Sequence, residues 1–203
     1  MRVILFLTVC LVAGAILLGG SKPENRARPA VAEPVYTNDG QLRPPLDYRE
    51  WIYLTSGLDM SYTPRVAGMA GHSMFDNVFV NPEAYRAFLQ TGTWPDKTML
   101  VLEIRGAESN ASINKAGHFQ SESLMGVELH VKDAAHGGWA FYELDGAAPA
   151  KMVPKEASCY SCHRDHGAVD TTFVQFYPTL FPLAKQKSTL SGGYVHETGQ
   201  RPQ

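Results

Sequence analysis

Cysteine is scarce in this sequence: three residues in 203, one of them, Cys10, inside an N-terminal apolar run. That leaves Cys159 and Cys162, too few for a multi-bridge disulfide scaffold. With no second cysteine pair at matching spacing, a four-thiolate zinc site is excluded as well. Strong charge is also missing. The formal net charge is -2, charged residues make up 19%, and no long Lys/Arg run occurs, so the electrostatic footprint of a nucleic-acid binder is absent. No methionine follows His163, and there are no internal repeats or low-complexity tracts. Beyond the N-terminus, no stretch approaches the roughly 20 consecutive apolar residues of a membrane span.

What is present begins with that N-terminus. Met1-Arg2 places a positive charge before the almost continuously apolar residues 3–18, and Gly19-Gly20-Ser21 breaks the run. This is the layout of a secretory signal, and left uncleaved it would be an N-terminal anchor, the one expected route to a membrane. Ala30-Val31-Ala32 fits a small-x-small cleavage pattern, and Cys10 stands in no lipobox. Residues 1–20 therefore read as signal peptide or anchor, 21–46 as a Pro- and Ala-rich linker, 47–185 as one folded domain and 186–203 as a flexible tail. The expected compartment is the periplasm or the cell exterior.

Within the domain, Trp51 and Leu54 share a helical face and predict a short helix from Asp47, ended near Gly57. Residues 75–80, rich in β-branched and aromatic side chains, predict a strand. Asn81-Pro82-Glu83 predicts a helix start: asparagine to cap the free amides, proline at the first helical position, glutamate at the positive end. Gly92 would stop that helix. Residues 99–105 alternate, with Leu100, Leu102 and Ile104 on one side and Glu103 and Arg105 on the other. Residues 124–132 alternate likewise, Met125, Val127, Leu129 and Val131 against Glu128, His130 and Lys132. Residues 106–118 read as a polar loop and 138–144 as a further strand. The fold class is mainly β (α+β): an antiparallel sheet with a few short helices, and a helical segment near the C-terminus.

That last segment carries the chemistry. Cys159-Tyr160-Ser161-Cys162-His163 is C-x-x-C-H, the attachment pattern for c-type haem. Two thiols at this spacing can add across the haem vinyl groups, and the adjacent histidine then reaches the iron. The expectation is one covalently attached haem c held by Cys159, Cys162 and His163, with His163 as the metal ligand. The opposite face of the iron decides function. With no downstream methionine, any thioether must come from Met60, Met69, Met74, Met99, Met125 or Met152, each of which reads by default as core filler. An open iron face is therefore expected. His72 and His118 are kept as distal candidates, His166 as a local hydrogen-bonding residue, and His130, His136 and His196 as polar-face or loop residues.

Three segments together resemble the cytochrome P-460 family: FDNVFVNPEAYRAFLQTGTWPDKTMLVLEI from Phe75, VELHVKDAAHGGWAFY from Val127, and CYSCHRDHGAVDTTFVQFYPTL from Cys159. The resemblance covers about residues 48–180. It implies a β-rich, commonly dimeric fold with one five-coordinate haem c. It also implies one of two branches: enzymes that oxidise hydroxylamine with a haem cross-linked to a lysine, or cytochromes c′-beta, which lack that bond and bind nitric oxide in a pocket capped by phenylalanine. In the enzymes the lysine precedes a glutamate in the strand after the T-G turn. Here that strand reads Val101-Leu102-Glu103-Ile104, so Leu102 stands in the lysine's place, and Lys97 and Lys115 fall in turns or loops.

The expected function is a periplasmic cytochrome whose open iron binds nitric oxide or a related small nitrogenous ligand. The alternatives are a hydroxylamine oxidoreductase and a six-coordinate electron-transfer cytochrome. Phe75, Phe79 and Leu102 are the candidate distal-pocket residues. Glu103, Glu128 and Glu143 are the acid/base candidates, but no catalytic residue is assigned: alternation turns Glu103 and Glu128 away from the apolar faces, and Glu156 reads as solvated. The expected partners are the small ligand, an electron-transfer protein and a second copy of the chain, with no nucleic acid.

Overall fold

The computed structural model describes residues 31–62 and 73–199; the expected signal segment, part of the linker, Met69 and His72 lie outside the described residues. Five strands form one antiparallel sheet in chain order: β3 (Ile52–Leu58), β4 (Met74–Val80), β5 (Met99–Glu108), β6 (Phe119–Asp133) and β7 (Gly138–Glu143). A two-stranded ribbon of β1 (Val35–Tyr36) and β2 (Leu42–Arg43) precedes it. Helix α1 (Pro82–Thr91) separates β4 from β5, and α2 (Ser158–His166), α3 (Phe181–Gln186) and α4 (Gly192–Thr198) follow the sheet. The mainly antiparallel β fold with a few short helices is as expected.

Cross-strand register explains where the side chains go. Val78, Leu102, Glu128 and Glu143 form one row, and Val80, Leu100, His130 and Phe141 form the next, all on the same face. Successive residues on a strand point to opposite sides, so Phe79, Val101, Leu129 and Tyr142 form a row on the other face. Both faces are covered. The first packs Leu54, Val80 and Leu100 against Phe88 of α1, Trp94 and the C-terminal residues Val169, Leu180 and Ala184. The second packs Met99, Val101, Leu129 and Val131 against Leu42, Trp51 and Ala150.

Four local expectations change. The helix expected from Asp47 is a single 3-10 turn (Tyr48–Glu50), after which the chain enters β3. Pairing with β4 along residues 52–58 outweighs the helical spacing, and Gly57 lies inside the strand. Asn81 makes no side-chain cap on α1. Its amide instead accepts from Met99 N–H and donates to the carbonyls of Ala32 and Lys97, fastening β4 to the start of β5. Pro82 still opens the helix, and Gly92 ends it in the left-handed conformation (φ 75°), its N–H bonded to Phe88 O. The polar loop shrinks to residues 109–118, because β5 and β6 continue pairing out to Glu108 and Phe119. The supposed flexible tail carries α4, capped by Ser191 Oγ and anchored by the buried Tyr194.

The second face holds a buried charge. Glu103 is fully buried and accepts hydrogen bonds from Tyr48 Oη (2.6 Å) and Arg105 Nε (2.8 Å), and an ion pair from Arg49. Burial pushes its carboxyl up, but the bonds from Arg105, Tyr48 and Arg49 prevail and hold it at about 2. Asn77 and Gln120 exchange two amide hydrogen bonds beside it (2.8 and 2.9 Å).

Candidate haem site

Helix α2 puts Cys159, Cys162 and His163 on the wall of a cavity of about 610 Å³, facing the sheet row that contains Leu102. Both thiols are free. The helix ends at Gly167, where a side chain is impossible without movement: an added Cβ would lie 2.6 Å from His163 O and 2.8 Å from Thr172 N. That close approach lets residues 167–173 turn back beneath α2. Asp170 adopts a left-handed φ of 53°, Thr172 N–H bonds to Val169 O, and Trp94 Nε1 donates to Thr172 Oγ1 at 2.8 Å.

The turn delivers a carbonyl to the histidine. His163 Nδ1 lies 2.8 Å from Thr171 O. A carbonyl can only accept, so Nδ1 carries the proton and Nε2 of the neutral ring keeps a free lone pair. This is the second bond usual for a metal-ligating histidine. Burial lowers the His163 pKa, favouring that neutral ring against the opposing effect of the Thr171 bond. Phe173 (4.2 Å), Phe141 (4.6 Å) and His130 (5.0 Å) surround the imidazole, centroid to centroid.

The donor set fits a haem. Two unbonded thiols three residues apart share a wall with a histidine whose tautomer exposes Nε2, and the cavity is lined largely by apolar side chains at a volume typical of cofactor sites, about 300–1,000 Å³. A mainly antiparallel sheet closed by a C-x-x-C-H helix over such a cavity defines the class as a β-type cytochrome. Residues 45–174 match the family model Cytochrome P460, and the chain belongs to that family. Membership implies haem c as the cofactor. Comparison with curated proteins finds no match.

Of the expected distal residues, Leu102 lines the cavity. Phe75 and Phe79 do not. Their odd positions on β4 put them on the opposite face, where Phe79 packs edge-on against Tyr48 and Tyr53. The cavity's phenylalanines are Phe141, Phe173 and Phe176. Met60 and Met74 line it as well, whereas Met99 is in the other core and Met125 and Met152 are exposed. His118 bonds Ser109 in the hairpin loop, and His166 pairs with Glu197 at the surface. Lys97 pairs with Asp133 and Lys115 with Ser112 O, neither of them at the cavity.

Two carboxylates and a histidine on the cavity wall were missed. Alternation puts Glu128 and His130 on the polar face of β6, yet that face is the one the helices cover. Asp76 joins them from β4. Burial raises both carboxyls; Asp59 adds to the effect on Asp76, and Glu143 and Asp76 to that on Glu128. The cross-strand register that pairs Glu128 with Leu102 puts both on one face, and alternation within a single strand does not encode that register.

Proposed function

We propose that this chain is an exported mono-haem c-type cytochrome whose iron keeps one face free for nitric oxide or a related small nitrogenous ligand. In this reading Cys159 and Cys162 hold the porphyrin by thioethers and His163 Nε2 is the iron ligand. When bound, a haem supplies an exchangeable coordination position and one-electron chemistry. The chain's own residues orient it through the thiols, fix the histidine tautomer through Thr171 O, and exclude water with Leu100, Leu102 and Ile104. Leu102 is the observation that supports the reading. It stands on the cavity wall in the place the resemblance gives to the cross-linking lysine, and leucine has no amine to offer. A neutral diatomic needs no countercharge there. Export to the periplasm rests on Met1-Arg2 and apolar residues 3–18, and a homodimer on the resemblance; light scattering of the purified protein tests the latter. For the ligand, absorption spectra of the ferrous protein with and without nitric oxide decide. A shift from a high-spin spectrum is expected. No change refutes the reading, and a low-spin spectrum before any ligand is added means that a side chain of the protein fills the sixth position, with Met60 and Met74 the described methionines on the cavity wall.

Glu128 and Asp76 favour a second reading, oxidation of hydroxylamine. A carboxyl whose pKa is raised by partial desolvation is a better proton acceptor, and both stand on the cavity wall. Turnover of hydroxylamine with an artificial electron acceptor, lost in Glu128→Gln, supports this second reading over the first.

A further inference from the structure

We propose that His130 is a positioning residue for His163, acting through the side chain of Thr171. The inference rests on the reading of His163 as the iron ligand. It starts from an oddity of β6: a histidine buried in the row of Leu100 and Phe141, where an apolar residue would suit the core better. Burial of a neutral imidazole is costly unless it is hydrogen-bonded. His130 Nε2 is 3.2 Å from Thr171 Oγ1, and its ring is fixed by stacking on Phe141 (4.0 Å, 13°) and leaning on Trp139 (4.3 Å).

Thr171 therefore bonds in two directions. Its carbonyl accepts from His163 Nδ1, and its hydroxyl is tied to the sheet by His130. The neighbouring Thr172 is pinned independently by Trp94 and by Val169 O. Residue 171 thus joins the turn below α2 both to His163 and to the row lining the cavity. The His130 ring also stands edge-on to His163, at 77° between planes, and limits its rotation. Holding the carbonyl close to Nδ1–H makes the imidazole a stronger electron donor at Nε2, and such outer partners tune a bound metal. Loosening the tie weakens the donor.

The test uses the holoprotein. Thr171→Val removes the hydroxyl and keeps the carbonyl; His130→Phe keeps the stacking and removes Nε2. Both should lower the ferrous iron–histidine stretching frequency in resonance Raman spectra and raise the reduction potential. Thr171→Ser and His130→Gln restore a hydrogen-bonding group at each end and should return both readouts toward wild type. The double variant Thr171→Val/His130→Phe should go no further than either single change, because one tie is broken in each. Wild-type frequency and potential in both single variants overturn the proposal. If the wild-type protein itself shows no iron–histidine band, and imidazole fails to rescue His163→Gly, the ligand assignment falls and the proposal with it.

Discussion

Replacing Glu103 by glutamine should cost the protein stability at neutral pH and cost it nothing in strong acid. The carboxyl is fully buried, with Tyr48, Arg105 and Arg49 bonded to it, and is held at about 2 against an ordinary 4.5. A folded-state value below the unfolded one stabilises the fold wherever the group is ionised in both states. That contribution is fully present above the unfolded value and is lost as pH falls through the folded one. The depression corresponds to about 3 kcal/mol. Glutamine keeps the shape and mimics the protonated acid, so the variant lacks this term at every pH. Urea unfolding of both proteins across the acid range gives the difference directly, since all other titrating groups cancel. The gap should be widest near neutrality and close progressively below about pH 4.5. A gap that stays constant down to the acid limit refutes the reasoning, and means the guanidinium groups do not favour the charged form.

Other outcomes follow from the site. The double change Cys159→Ala/Cys162→Ala should abolish haem staining on a denaturing gel and leave the pigment extractable by acidified solvent, while either single change should retain one thioether. Leu102→Lys places an amine on the cavity wall, and peptide mapping should then find residue 102 joined to the haem peptide, with a red-shifted ferrous Soret band. Gly167→Ala forces a Cβ to within 2.6 Å of His163 O and 2.8 Å of Thr172 N. Both are backbone atoms, so the turn must open; a loss of about 1–3 kcal/mol in urea unfolding is expected.

Much of this was legible in the residues themselves. The alternation in β5 and β6 located both strands, Pro82 and Gly92 bounded α1, and the C-x-x-C-H pattern marked the cavity wall. Alternation separates two faces, however, without saying which one will be covered. In β6 the apolar residues Val127, Leu129 and Val131 went to one core, while Glu128 and His130 went to the other side, beneath helices supplied some thirty residues later in the chain. Phe75 and Phe79 misled for the same reason: a phenylalanine pair on one strand face fits either core equally well. The turn of residues 167–173 had no periodic pattern to read, and its position depends on Gly167 meeting Thr172 N, a long-range fit that local spacing does not encode. Trp51 and Leu54 share a helical face, but the pairing of β3 with β4 decided that segment.

The order of elements along the chain has a consequence in time. All five strands of the sheet lie before residue 144, whereas the cysteine pair and the turn that steadies His163 come after residue 157. A polypeptide appears N-terminus first, and neighbouring strands that pair in sequence close early because their contacts are short-range. The sheet wall with Leu102, Glu128 and His130 can thus be built before either thiol exists beside it. Until α2 and its successors arrive, α1 and Trp94 cover only part of that face, and the half-made cavity stands open on the side from which a planar molecule could be laid in.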